Sequence, residues 1–149
     1  MRNTLLVLHI VAVAVWLGSN IFQLSVGRRF AAEGGAPAAS WMASTVVMGR
    51  NLYGPAGVLI LLTGVGLVLN GSAYSFGSGF VSVGFAVIII GIILGVRVFG
   101  PAGEEAAAEF AAGNDARGRE VFGRIATFGY IDTALVVLAV VAMVTKWAR

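Results

Sequence analysis

His9 is the single histidine of the chain and the one side chain whose ordinary pKa lies near neutrality, so ligand or proton chemistry has to be argued around it. Trp16, Asn20 and Gln23 follow it at intervals of seven, four and three residues. At about 100° per residue, all four fall within a narrow sector of a helix. A polar sector in an apolar stretch must face protein, because hydrocarbon supplies no hydrogen-bond partner. These residue types admit three roles for His9. It can bond a neighbouring helix, relay a proton, or serve as an axial ligand to haem iron, for which neutral imidazole is the usual donor. In the third role Trp16 would pack on a porphyrin edge and Asn20 would bond a propionate or a facing helix.

Asp132 is the second candidate. It lies about 12 Å along a helix from Arg124 by the helical rise, inside an apolar run where a lone carboxylate is costly. The expected partner is Arg97 or Arg50; failing that, the acid is protonated. Met143 lies eleven residues beyond Asp132 on the same face. An axial pair of His9 and Met143 is geometrically allowed, as is a His9 from a second copy related by a twofold axis. Other chemistries are excluded. The chain has no cysteine, hence no disulfide, thiolate metal site or thiol nucleophile. Gly64 and Gly66 open no strand-to-helix unit and are followed by no phosphate-binding lysine. Glu104, Glu105 and Glu109 read as a solvated face rather than a metal cage, and Met42, Met48 and Met143 are too scattered for a soft-metal path.

The elements that must carry these residues follow from composition. Of 149 residues, 58% are hydrophobic and 11% charged, against roughly 25% charged in an ordinary soluble domain. A chain this short cannot hide so much apolar surface from water, so its expected partner is the lipid bilayer. The net charge of +3 comes from scattered basic residues that form no stripe, which argues against nucleic acid. Four apolar runs reach the length of about 20 residues that a span requires: 4–26, 52–70, 80–98 and 125–145. The first reads as a retained span rather than a secretory signal, because its apolar run is too long and carries a histidine. The fold class is therefore all-α, a polytopic four-helix transmembrane bundle in one domain.

The first connection reads as a loop over 27–39, from its Arg28, Arg29, Gly34, Gly35 and Pro37. A helix over 40–51 follows, lying at the interface or extending the second span. The connection over 71–79 reads as a tight hairpin, and 100–124 as a short amphipathic helix followed by a turn. Arg28, Arg29, Arg50, Arg97, Arg117, Arg119 and Arg124 fall on the first and third connections, against Arg2, Lys146 and Arg149 at the ends. The enrichment of basic residues on cytoplasmic loops then puts both termini outside the cytoplasm, with Trp147 as an interfacial anchor. Gly57, Gly64 and Gly71 form one stripe of the second span, and Gly84, Gly91 and Gly95 one stripe of the third, as close helix packing requires. Pro55 stands near a helix start, where it costs little. No pair of broken helices in matching positions is evident, which speaks against transport through the bundle.

Leu8-His9 with Trp16-Leu17-Gly18, then Met48, Arg50, Leu52 and Tyr53 ahead of Pro55, then Thr63-Gly64, and finally Val144-Thr145-Lys146 resemble small four-helix bacterial membrane proteins. These are an uncharacterised family of integral membrane proteins, the copper-resistance protein D membrane domain and the HemJ-type protoporphyrinogen oxidases. The resemblance covers the chain by helix count and order, and implies a place in the bacterial inner membrane. The HemJ-type enzymes hold haem b through a first-span histidine, which implies His9 as the iron ligand here. They carry a further histidine in a later span, and this chain has none. Two classes of function stand open. One is a haem- or porphyrin-binding membrane protein with a redox or carrier role. The other is a non-catalytic small subunit or assembly factor whose polar stripe docks onto a larger membrane complex.

Overall fold

A computed structural model describes residues 1–71 and 75–146. Helix α1 is Arg2–Glu33; α2 is Gly35–Met48; α3 is Gly54–Leu69; α4 is Gly79–Leu94; α5 is Gly100–Ala111; α6 is Asp115–Thr145. One π-turn, Gly49–Tyr53, joins α2 to α3, and another, Gly95–Phe99, joins α4 to α5. Four continuous helices result, Arg2–Glu33, Gly35–Leu69, Gly79–Ala111 and Asp115–Thr145, each long and apolar enough to cross a membrane. The expected Trp147 anchor lies outside the described residues, as do 72–74 of the 71–79 connection.

The first connection departs from expectation. Residues 27–39 are not a loop: α1 continues through Arg28 and Arg29, and α2 takes in Pro37 within its first turn, where the missing N–H costs no intrahelical bond. The reversal is made at Gly34 alone, whose φ of 72° is followed by 53° at Gly35. Both values favour glycine, and a Cβ on Gly34 would collide with the Asp115 carboxylate. That carboxylate accepts the Gly35 N–H at 2.9 Å, so the α1–α2 turn is fastened to the start of α6. The helix expected over 40–51 extends the second span outward. The third connection matches its reading as a short helix and a turn, with Gly113 at φ 78°. However, α6 begins ten residues before the apolar run does. The charged stretch is helical because Arg117 and Arg124 bond Glu105 of α5 at 2.7 and 3.1 Å. An apolar run measures the length that lipid can cover, and a helix continues past it wherever its polar groups find partners.

Packing falls into three layers. At the end remote from the termini, Ala38 and Met42 of α2 meet Ala102, Ala106 and Phe110 of α5 and Val121 of α6. In the middle, Trp16 packs with Val87, Ile88 and Val136. Near the termini, Phe80 and Val81 meet Ala142. Large apolar side chains such as Ile10, Leu62, Ile93 and Val141 cover the outside. This inside-out distribution is what a lipid-facing bundle requires.

Glycines set how closely the layers approach. A Cβ at Gly118 would lie 2.8 Å from ring atoms of Phe110, which is 1% exposed. A Cβ at Gly95 would meet nothing within 4 Å, on αR backbone. Gly118→Ala is therefore expected to destabilise by about 1–3 kcal/mol through overpacking. Gly34→Ala is expected to be harmful as well, while Gly95→Ala should hold or gain stability by up to about 1 kcal/mol. Thermal unfolding in one detergent checks the order, and Gly95→Ala melting below Gly118→Ala would refute it.

Candidate functional site

The polar sector of α1 is real, and its partner is Asp132 of α6. Asp132 is 2% exposed. Its Oδ2 accepts the Trp16 indole N–H at 3.0 Å and the Asn20 side-chain amide at 2.7 Å. The Asn20 carbonyl oxygen accepts the Tyr53 hydroxyl at 2.8 Å, and the Tyr53 oxygen accepts the Gln23 amide at 2.9 Å. Each donor in this chain is one step nearer the carboxylate, from Gln23 through Tyr53 and Asn20 to Asp132. An indole can only donate, so the network is built for an acceptor at its end. Asp132 Oδ1 is the exception, a buried oxygen with no hydrogen-bond partner.

The expected ion pair of Asp132 with Arg97 or Arg50 is corrected: among the described residues no basic side chain lies within 4.0 Å of Asp132. Arg50 bonds Glu104 at 3.4 Å, with its side chain largely exposed, and Arg97 is also exposed. The guanidinium groups stay where they are hydrated, and neutral donors from α1 take up the carboxylate in their place. Those donors avoid the desolvation of a second charge.

Trp16 is held by what is missing around it. A Cβ at Gly57 would lie 3.0 Å from its ring and a Cβ at Gly91 2.8 Å, so the indole occupies space that these two glycines leave open on α3 and α4. Tyr53 meets it edge-on, with ring centroids 5.5 Å apart at 87°. Two turns back along α1, His9 repeats the pattern against Gly64, whose Cβ would lie 3.5 Å from the imidazole. Its Nδ1 lies 2.9 Å from the Thr63 hydroxyl oxygen. That hydroxyl donates to the Leu59 carbonyl, which leaves His9 Nδ1–H as the donor between them. Met143 packs elsewhere, against Gly84 and the Phe80 layer. His9 thus stands against α3 and Met143 against α4.

Above the Asp132 network lies a cavity of 710 Å³. Trp16, Asn20, Gln23, Tyr53 and Asp132 are in its walls, with Trp41, Phe99 and Phe122 adding further aromatic surface. Its exposed wall residues, among them Val58, Ile92 and Val96, belong to the two π-turns or to the helices on either side of them. The opening is therefore on that flank. His9 and Met143 line neither this cavity nor the smaller one of 330 Å³ between α1 and α6. Neither cavity would therefore bring a haem to His9.

The two π-turns share a sequence that the reading by composition and spacing missed. Gly49, Gly54-Pro55-Ala56-Gly57 recurs as Gly95, Gly100-Pro101-Ala102-Gly103, with an aromatic residue, Tyr53 or Phe99, before the second glycine each time. In both, the N–H of the second glycine bonds the carbonyl of the first, five residues back. The proline explains this. Its ring would strike the carbonyl four residues earlier, and widening the turn by one residue moves that carbonyl aside. Neither helix is broken there: each runs on through its π-turn, and both π-turns border the cavity. Compared with known proteins, the chain matches no family model, no curated protein and no solved structure.

The network can be weighed by two substitutions. Asp132→Ala leaves the Trp16 and Asn20 donors buried and unpaired, at about 1–3 kcal/mol each. Asp132→Asn keeps an acceptor for both and is expected to be nearly neutral. Thermal unfolding midpoints in detergent check this, and an unchanged midpoint in Asp132→Ala would show that the network carries no structural weight.

Proposed function

We propose that the chain is an integral membrane protein with both termini outside the cytoplasm, and that its work is to bind an apolar small molecule in the cavity between the two π-turns. One observation carries the reading: a large, mostly apolar cavity opens on the flank of the bundle where two helices are widened into π-turns by the same glycine-proline sequence. A volume of 710 Å³ lies within the range of small-molecule sites, roughly 300–1,000 Å³. Paired glycine-proline sequences in apolar segments are a pointer to a binding site inside a membrane. The flank lies between Val58 on α3 and Ile92 on α4 with Val96 in the π-turn after it, all exposed, so a ligand dissolved in lipid reaches the cavity sideways without crossing water.

The orientation rests on the distribution of charge. The Arg50–Glu104, Arg117–Glu105, Arg117–Glu120 and Arg124–Glu105 pairs gather at one end of the bundle, together with the Gly34 and Gly113 turns. That end is the arginine-rich one, and the basic side of a membrane protein faces the cytoplasm. The chain has no native cysteine, so single engineered ones are easy to read. A cysteine at Ser75 is expected to react with a membrane-impermeant maleimide in intact cells and one at Gly113 to be protected; the reverse result would overturn the orientation.

Binding is tested with N-phenyl-1-naphthylamine, an uncharged apolar fluorophore, read by energy transfer from Trp16 and Trp41 in the cavity wall. Saturable transfer is expected with the wild-type protein. Ala126→Phe, which lengthens a wall side chain on α6, should weaken it at least tenfold. Non-saturable transfer that is the same in both proteins would defeat the binding reading.

A further inference from the structure

We infer that the ligand of this cavity is an apolar organic cation, such as an amine carrying rings or chains, with its charge set against Asp132. The inference rests on the binding reading above and adds the chemical class of the ligand. Asp132 contributes to the cavity wall and is 2% exposed, and its Oδ1 is a buried oxygen with no partner. Its other oxygen already has two donors, Trp16 and Asn20, and both can be given to a charged or a neutral acceptor alike. What is left without a counterpart is the charge. Among the described residues no basic side chain lies within 4.0 Å of it, and the nearest basic wall residue in the cavity, Arg50, is engaged by Glu104 at the rim.

Oδ1 sits beside Gly91, where a Cβ would come within 3.4 Å of it, in space on α4 that the Trp16 ring also uses. Aromatic faces complete the arrangement. Trp16, Trp41, Tyr53 and Phe99 are all in the wall, and aromatic faces attract cations most strongly where water is excluded. A carboxylate beneath aromatic walls, with no basic side chain within 4.0 Å of it among the described residues, favours a cation over an anion of the same size. An apolar ligand without a hydrogen-bond donor would leave Oδ1 as it stands.

The test uses the full chain in detergent and equilibrium dialysis with tetraphenylphosphonium and tetraphenylborate, two ions of the same shape and opposite charge, against protein-free micelles. The cation is expected to bind at least tenfold more tightly than the anion. Asp132→Asn should remove most of that preference. Glu104→Gln, at the rim, should change it less than threefold, which separates Asp132 from a general negative potential. If the cation binds no better than the anion while the uncharged probe still binds, the charge inference is wrong and the cavity reading stands. If none of the three probes binds, both fail. The wild-type comparison decides even if Asp132→Asn does not fold.

Discussion

A carboxylate at the centre of an apolar bundle constrains everything near it, because hydrocarbon supplies neither hydrogen bonds nor counter-ions. Asp132 on α6 takes its two donors from α1, at positions one helical turn apart, Trp16 and Asn20. That fixes the rotation and height of α1 against α6. The indole that reaches Asp132 needs space on both sides, and Gly57 of α3 and Gly91 of α4 leave it. One acid therefore positions all four long helices at the same level. His9 and Thr63 repeat the arrangement on a smaller scale two turns away, with Gly64 in place of Gly57.

The two prolines set what happens beyond that level. An ordinary helix running through Pro55 or Pro101 would carry a clash and a lost hydrogen bond, at about 3 kcal/mol or more. The π-turns relieve the clash and keep the helices continuous through it. Their place in the chain differs: in one the proline leads into the apolar stretch α3, in the other it leads out of α4 into α5. Because the two long helices run in opposite directions, the turns come to the same end of the bundle and border the same space. Below them the helices close on Trp16; above them α2 and α5 close on each other through Ala38, Met42, Ala102 and Ala106. The cavity is the gap between these two zones of contact.

The helix count and the polar face of α1 were legible because they depend on local pattern: apolar run length in one case, 3.6-residue periodicity in the other. Asp132 was legible as a buried acid in need of a partner, but its partner was not. The expectation of Arg97 or Arg50 follows from charge alone and ignores the cost of desolvating a guanidinium, whereas Trp16 and Asn20 carry donors into the interior with no second charge. The connection over 27–39 was misread because Gly34, Gly35 and Pro37 are loop residues by type, and only the Asp115 carboxylate, eighty residues on, shows why a single glycine completes the turn. The repeated glycine-proline sequence lay open in the chain. It carried no message until the helices were seen to run antiparallel and bring both copies to one cavity.

The remaining question is why the acid is an acid. Trp16 and Asn20 need an acceptor, and a neutral amide at position 132 would supply one at no cost in charge. Burying an ionised group that lacks a counter-ion is destabilising. Stability of the bundle thus gives a reason for an oxygen at this position and no reason for its charge. The oxygen beside Gly91 is where the two requirements separate, since Oδ2 satisfies the donors of α1 and Oδ1 has no hydrogen-bond partner among the described residues. The charge at this position, which the fold does not require, is what the proposed cation would answer.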